Sequence, residues 1–169
     1  RSSRRLSLHT DRCDHLAMLC VRPAASGGLS GYASGLTAHN IVLEERPDLI
    51  EALYRGYYHH RFGQQAPGES LVTEERIPIF SVAGGVPSLI LIRGYIDLAA
   101  QEGHVQLSDV EVEALDFLES VTERPDVKLE LMLAPGELSI FNNCLLLHNR
   151  TEFKDADDPA QNRLLLRLW

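Results

Sequence analysis

The sequence predicts an α+β protein: a β-sandwich or jelly roll decorated by helices. Three observations carry that expectation. Strand-like segments outnumber helical ones along the 169 residues. The helical segments fall in the first half and the middle. The last third is mostly strand-like, with "VKLELML" (127–133) alternating strictly and "NRLLLRLW" (162–169) a further apolar strand. Strands and helices do not alternate regularly, which excludes a doubly wound parallel sheet.

The elements follow in order. Residues 6–22 are apolar with polar interruptions and read as one or two strands ending at Pro23. "AASGGLSG" (24–31) is turn chemistry, with Gly27 and Gly28 marking a tight loop. Residues 36–54 read as two short helices, with Pro47 in the first turn of the second. "YYHHRFGQQAPGES" (57–70) is strand-like and then a loop. Residues 76–92 read as two strands around a Gly84-Gly85 turn, and 94–103 as a short helix stopped by glycine. The clearest helix is 108–124. Ser108 and Glu111 form a capping box, and Val110, Ala114, Leu118 and Val121 form its apolar stripe. Residues 127–133 are a strand and 134–137 a turn. Residues 138–150 and 162–169 read as two further strands, separated by the acidic loop "TEFKDADDPAQ".

Bulk properties exclude several function classes. Apolar residues are 44% and charged residues 24%, the balance of a globular chain with one core. The net charge of −8 argues against a nucleic-acid partner, which needs a basic field. No apolar run has transmembrane length and no signal peptide is visible, so no membrane partner is expected. Cys13, Cys20 and Cys144 are odd in number and form no CxxC pair. Reduced thiols and a cytoplasmic location follow as expectations. No Gly-x-Gly-x-x-Gly, P-loop or Gly-x-Ser-x-Gly motif occurs. The sequence leaves homo-oligomer formation open.

The chemistry begins at "LSLHTDRCDHL" (6–16). On a strand, residues two apart face the same side, so His9 and Asp11 present an imidazole and a carboxylate to one spot. Alone, such a pair arises often by chance. His148, at the end of the apolar run "CLLLHNR", supplies a second histidine. In that position a satisfied core histidine is the bland alternative. Two histidines and one carboxylate, however, make the facial triad of non-haem Fe(II) oxygenases, with coordination positions left open. Arg163 and Arg167 then share parity within an apolar strand. A buried arginine needs an anion, because an unpaired charge is costly to bury. A carboxylate ligand bound bidentately is one partner; salt bridges to the acidic loop 152–158 are the other.

These residues resemble the TauD/TfdA family of Fe(II)- and 2-oxoglutarate-dependent dioxygenases, which includes taurine dioxygenase, gamma-butyrobetaine hydroxylase and clavaminate-synthase-like proteins. The match lies in "HTD" (9–11), "GGLS" (27–30), "FNNCLLLHNRTEF" (141–153) and "NRLLLRLW" (162–169), in the expected order and spacing. The resemblance implies a double-stranded β-helix, a jelly roll with inserted and flanking helices. It implies that His9, Asp11 and His148 ligate Fe(II). It implies that Arg163 and Ser30 hold the distal carboxylate of 2-oxoglutarate, with Ser30 where the family often has threonine. Arg167 matches a position facing substrate or co-substrate. Residues 1–169 are then expected to be a single dioxygenase domain lacking the family's usual N-terminal segment, since eight residues precede His9.

The implied reaction uses O2 and 2-oxoglutarate to oxidise a C–H bond of a small molecule such as an amino acid, a carboxylate or a natural-product intermediate. Hydroxylation is the default, with succinate and CO2 as co-products. The carboxylate of Asp11 disfavours halogenation, while desaturation, cyclisation and epoxidation use the same centre. A catalytically inactive jelly-roll binding module and a zinc hydrolase are the competing classes. The hydrolase would leave Arg163 and Ser30 without a purpose.

Other polar residues are expected to be structural. Asn142 and Asn143 sit at a turn-to-strand junction, with ligand contact as the alternative. Arg12, Asp14 and His15 are read as outer groups around the first ligands. Cys144 is read as packing on the strand face of His148. His59 and His60 point to opposite faces and read as a solvated strand edge, with a substrate-facing lid as the alternative.

Overall fold

The structure is a computed structural model and describes residues 3–169. It is a mixed α/β protein of mostly strands, with four α-helices among the described residues. It forms two compact units. One comprises the chain up to Gly35 together with Thr122–Trp169, and the other is Leu36–Val121.

The first unit contains β1 (Leu6–His9), β2 (His15–Arg22), β3 (Ser26–Gly27), β4 (Ser30–Ser34), β7 (Lys128–Leu131), β8 (Leu138–Asn142), β9 (Leu146–Arg150), β10 (Phe153–Lys154) and β11 (Leu164–Leu168). Four of these form an antiparallel sheet in the order β1-β9-β4-β7, and three form a second in the order β11-β2-β8. The two sheets meet across Leu16, Tyr32 and Phe141, with Met18, Leu131 and Leu146 against them. Tyr32 and Phe141 pack edge to face at 5.2 Å, and the Tyr32 hydroxyl lies 2.7 Å from Ser139 Oγ. An aromatic pair of this geometry contributes about 0.5–1.5 kcal/mol beyond its buried area.

Two elements depart from the sequence expectation. Residues 138–150 are not one strand. The chain turns at 143–145 and passes from the three-stranded sheet to the four-stranded one. Cys144 is therefore in the turn, with Sγ 3.8 Å from Asp14 Oδ1, and not on the face of His148. The second departure is β4, which begins inside the stretch 24–31 where the sequence predicts turn chemistry. "SGYAS" has one large side chain and little strand propensity. Its neighbours explain why it is nonetheless a strand. A Cβ at Gly31 would lie 2.1 Å from Asn149 Oδ1 on β9, so only glycine leaves room for that side chain.

The second unit carries α1 (Gly35–Glu45, begun at the junction), α2 (Pro47–Arg55), β5 (Phe80–Ala83), β6 (Val86–Leu89), α3 (Arg93–Gln101) and α4 (Asp109–Thr122). Both glycines of the β5–β6 turn have positive φ, +58° and +80°, as a two-residue hairpin requires. Leu49, Leu53, Ile79, Leu91, Ile96, Leu115 and Leu118 are buried here.

The capping box of α4 is present. The Ser108 N–H donates to Glu111 Oε2 at 2.8 Å, and the Glu111 N–H faces Ser108 Oγ at 3.4 Å. Ser108→Ala is expected to lower unfolding free energy by about 1 kcal/mol, the usual value of such a cap. Urea denaturation checks this, and an unchanged midpoint would show that Glu111 is held without the serine hydroxyl.

Candidate metal and anion site

The site lies in the first unit, at the end of β9 where β1 and β4 flank it. His9 on β1 stands opposite His148, and Tyr32 on β4 stands opposite it from the other side. Ligand atoms of His9, Asp11 and His148 all lie within 4.8 Å of one another. His9 Nε2 is 3.9 Å from Asp11 Oδ1, and His148 Nε2 is 3.8 Å from Asp11 Oδ2.

The protonation of these groups suits a cation. The Nδ1–H of His9 donates to the Ser7 carbonyl at 2.8 Å, which leaves the Nε2 lone pair toward Asp11. His148 is 2% exposed, and neither ring nitrogen has a hydrogen-bond partner. Burial, with the adjacent His9 second, pushes its pKa down to about 3, so the ring is neutral near pH 7. A neutral, buried Nε2 without a hydrogen-bond partner beside a carboxylate is the state expected of a metal ligand. Two histidines and one carboxylate fit a ferrous ion.

Asp11 reaches this place by a different route from the one strand parity suggested. β1 ends at His9, and Asp11 is in the following loop. The buried Asn143, in the turn after β8, fixes that loop. Its Nδ2 donates to the carbonyls of Asp11 (2.8 Å) and Cys13 (2.6 Å), and its Oδ1 accepts from the Asp11 N–H (3.0 Å). Asn143 was expected to be structural, and it is, but what it structures is the ligand loop. Its place in "FNNC", just before the strand of His148, was the available signal. Arg167 Nη1 donates to Asp11 Oδ2 at 2.9 Å. This leaves Oδ1 as the less engaged carboxylate oxygen.

A space of about 130 Å³ opens beside the triad, lined in part by His9, Ser30, His148, Arg150, Arg163 and Arg167. It therefore brings together five of the six expected site residues, with Asp11 held at its wall by Arg167. Arg163 makes no salt bridge among the described residues. Only its backbone N–H reaches the acidic loop, donating to Asp155 Oδ1 at 2.7 Å. Its guanidinium lies 5.2 Å from the Phe153 ring centroid, and burial, followed by the charge of Arg150, pushes its pKa down. An arginine keeps its proton regardless, so the cavity carries uncompensated positive charge. Arg150 was not singled out in the sequence. The signal was its spacing, two residues after His148 on the same strand and hence on the same face.

Gly28 makes room for this wall. It has φ +77°, and a Cβ there would lie 3.2 Å from Arg163 Nε and 3.3 Å from Phe153 Cβ. Gly28→Ala is expected to cost about 1–2 kcal/mol, the cost of a left-handed backbone for an L-residue. Chemical denaturation tests it, and a neutral result would mean that the loop relaxes.

His59 and His60, in the second unit, are buried and do not form a solvated edge. His60, Glu102 and His104 also bring ligand atoms within 4.8 Å. Here the tautomer points the other way. The Phe62 N–H donates to His60 Nδ1 at 2.9 Å, so the ring proton sits on Nε2, facing Glu102 Oε2 at 3.1 Å. His104 Nε2 is 3.3 Å from the same oxygen. The carboxylate of Glu102 thus lies between two imidazoles, while His60 Nε2 is buried without a hydrogen-bond partner and Nδ1 is taken by the Phe62 N–H.

The fold matches solved non-haem iron oxygenases. Asparagine oxygenase, in a complex with Fe(II), 2S,3S-3-hydroxyasparagine and succinate, superposes with a TM-score of 0.75 at 21% identity, over 98% of this chain and 50% of that one. The non-haem iron oxygenase OrfP in complex with Fe and alpha-ketoglutaric acid gives 0.60 at 21% identity, over 97% and 48%. The chain belongs to the family described as taurine catabolism dioxygenase TauD, TfdA, whose model matches residues 1–169. Among curated relatives it is 30% identical to FR-33289 synthase of Streptomyces rubellomurinus (strain ATCC 31215), over 97% of this chain and 49% of that protein. It is 28% identical to a uridine-5'-phosphate dioxygenase of Streptomyces sp, over 89% and 53%. The chain thus spans about half the length of the relatives it matches. No helix among the described residues is long and apolar enough to cross a membrane.

Proposed function

We propose that residues 1–169 form a non-haem Fe(II)/2-oxoglutarate-dependent dioxygenase domain on a double-stranded β-helix core. The two antiparallel sheets of the first unit would be that core. The reaction is oxidation, in the first place hydroxylation, of a C–H bond in a small molecule such as an amino acid, a carboxylate or a natural-product intermediate. It consumes O2 and converts 2-oxoglutarate to succinate and CO2. One observation carries the reading: a His9–Asp11–His148 cluster shares a cavity wall with Arg163, a half-buried arginine whose guanidinium has no carboxylate partner among the described residues. The family membership supports it.

In this reading a ferrous ion at His9, Asp11 and His148 supplies open coordination positions and the redox chemistry that couples decarboxylation to C–H oxidation. The chain does the positioning. The Ser7 carbonyl orients His9, Asn143 fixes the Asp11 loop, and burial keeps His148 neutral. Arg163 binds the distal carboxylate of 2-oxoglutarate, with the Ser30 hydroxyl as second donor. Arg167 holds Asp11 and faces the same cavity, where it contacts substrate or co-substrate.

Anaerobic addition of Fe(II) and 2-oxoglutarate tests this. A weak visible metal-to-ligand band is expected, lost in Asp11→Ala. Arg163→Ala should raise the 2-oxoglutarate requirement. Absence of the band, together with no succinate under air, would refute the oxygenase reading.

A further inference from the structure

The anion wall of the cavity holds two guanidinium groups, and the proposed function uses only one. Arg150 on β9 stands directly across from Ser30 on β4. Residues opposite each other on paired strands share a face. Arg150, Ser30 and Arg163 accordingly line one cavity. Phe153 organises the two arginines: its ring centroid lies 4.6 Å from the Arg150 guanidinium carbon and 5.2 Å from that of Arg163. Such stacking leaves the edge of each guanidinium, where its N–H groups point, available to a planar anion.

The donors of Arg150 are underused. Nη2 donates to the Arg4 carbonyl, while Nε is buried and has no hydrogen-bond partner. No salt bridge to Arg150 or Arg163 exists among the described residues, although the chain as a whole is acidic by eight charges. Holding two half-buried like charges beside one ring is unfavourable, and an anion between them relieves it. A carboxylate has two oxygens and about four lone-pair sites, enough for two guanidiniums and a hydroxyl.

We infer that Arg150 is a second arginine for the distal carboxylate of the co-substrate, acting with Arg163 and Ser30, and that this pair makes the site selective for dicarboxylic 2-oxo acids. The inference rests on the proposed 2-oxoglutarate site. Arg163 approaches from the β11 side and Arg150 from β9, so the two arrive from different sheets. A monocarboxylic 2-oxo acid of the same length leaves both charges uncompensated.

The test is binding rather than turnover. The Mn(II)-loaded protein is titrated with 2-oxoglutarate and with 2-oxopentanoate, which carries a methyl group in place of the distal carboxylate. The wild type should strongly prefer 2-oxoglutarate. Arg150→Gln should weaken 2-oxoglutarate about 10- to 100-fold, the loss of one charge-assisted hydrogen-bonded pair, and leave 2-oxopentanoate unchanged. Arg150→Lys keeps the charge and the Phe153 contact. It should lose less than Arg150→Gln, again for 2-oxoglutarate alone, and it decides the matter if the glutamine variant does not fold. Equal weakening of both ligands, or of neither, would overturn the inference and leave Arg150 as an anchor for the Arg4 carbonyl. A wild type that binds the two acids equally would overturn both this inference and the 2-oxoglutarate reading. A wild-type preference that Arg163→Gln abolishes and Arg150→Gln spares would overturn only this inference.

Discussion

His148→Ala is expected to abolish divalent-metal binding by this protein. His148 is the most buried of the three candidate ligands, and its two ring nitrogens have no protein partner. An imidazole in that state is costly to bury, and a cation at Nε2 beside Asp11 and His9 removes the part of that cost that falls on Nε2. Loss of an outer-shell partner alone lowers metal affinity about 10- to 100-fold, so loss of a ligand should exceed the upper figure. Thermal melts with Mn(II) give a clean readout. At a metal concentration 100 times Kd the wild type should gain about 2.7 kcal/mol by mass action. The variant should gain almost nothing at the same concentration. Its metal-free stability is a separate matter, because removing an unsatisfied polar ring offsets part of the cavity cost near Phe141, whose ring lies 5.3 Å away. A variant whose melt still rises with Mn(II) as the wild type's does would show that the metal sits elsewhere.

Asn143→Ala should damage stability and metal affinity together, although Asn143 is proposed to touch neither metal nor substrate. Three hydrogen bonds tie its amide to the backbone of Asp11 and Cys13. Without them, half-buried backbone groups of Asp11 and Cys13 lose their partners, at about 1–3 kcal/mol in total. The loop is then no longer held against β1, and the carboxylate of Asp11 has only Arg167 to fix it. Metal affinity should fall about 10- to 100-fold, as for other groups that orient a ligand. Asn143→Asp is the informative companion. It keeps an acceptor for the Asp11 N–H but turns an oxygen toward the two carbonyls that need a donor. Both variants should therefore lose metal affinity. Full retention of Mn(II) affinity in a destabilised Asn143→Ala would limit the residue to holding the fold.

The elements with local causes were legible in the sequence. Alternation marked β7, an apolar run marked β11, a capping box marked α4, two glycines marked the β5–β6 hairpin, and Pro47 marked the start of α2. Of the candidate site, His9, Asp11, His148, Ser30, Arg163 and Arg167 could be named from residue type, spacing and family resemblance, and all six gather at one place in the first unit.

The residues that join them were harder to read, because their roles depend on partners far along the chain. β4 has a weak strand composition and is a strand because β7 and β9 flank it, with Gly31 yielding space to Asn149. The switch between sheets at 143–145 interrupts strand-like sequence only at the Asn142-Asn143 pair, a turn signal that does not say the two flanking strands join different sheets. Asp11 meets His9 through an asparagine 132 positions away and not through strand parity. Arg150 joins the cavity wall because β9 pairs with β4 and Phe153 folds back beside Arg163. Residue type, spacing and family resemblance picked out which side chains are proposed to carry the chemistry, and local sequence marked most of the regular segments. Long-range pairing decided which backbone groups hold those side chains still, since a hydrogen bond across a hundred residues leaves no periodic trace in the chain.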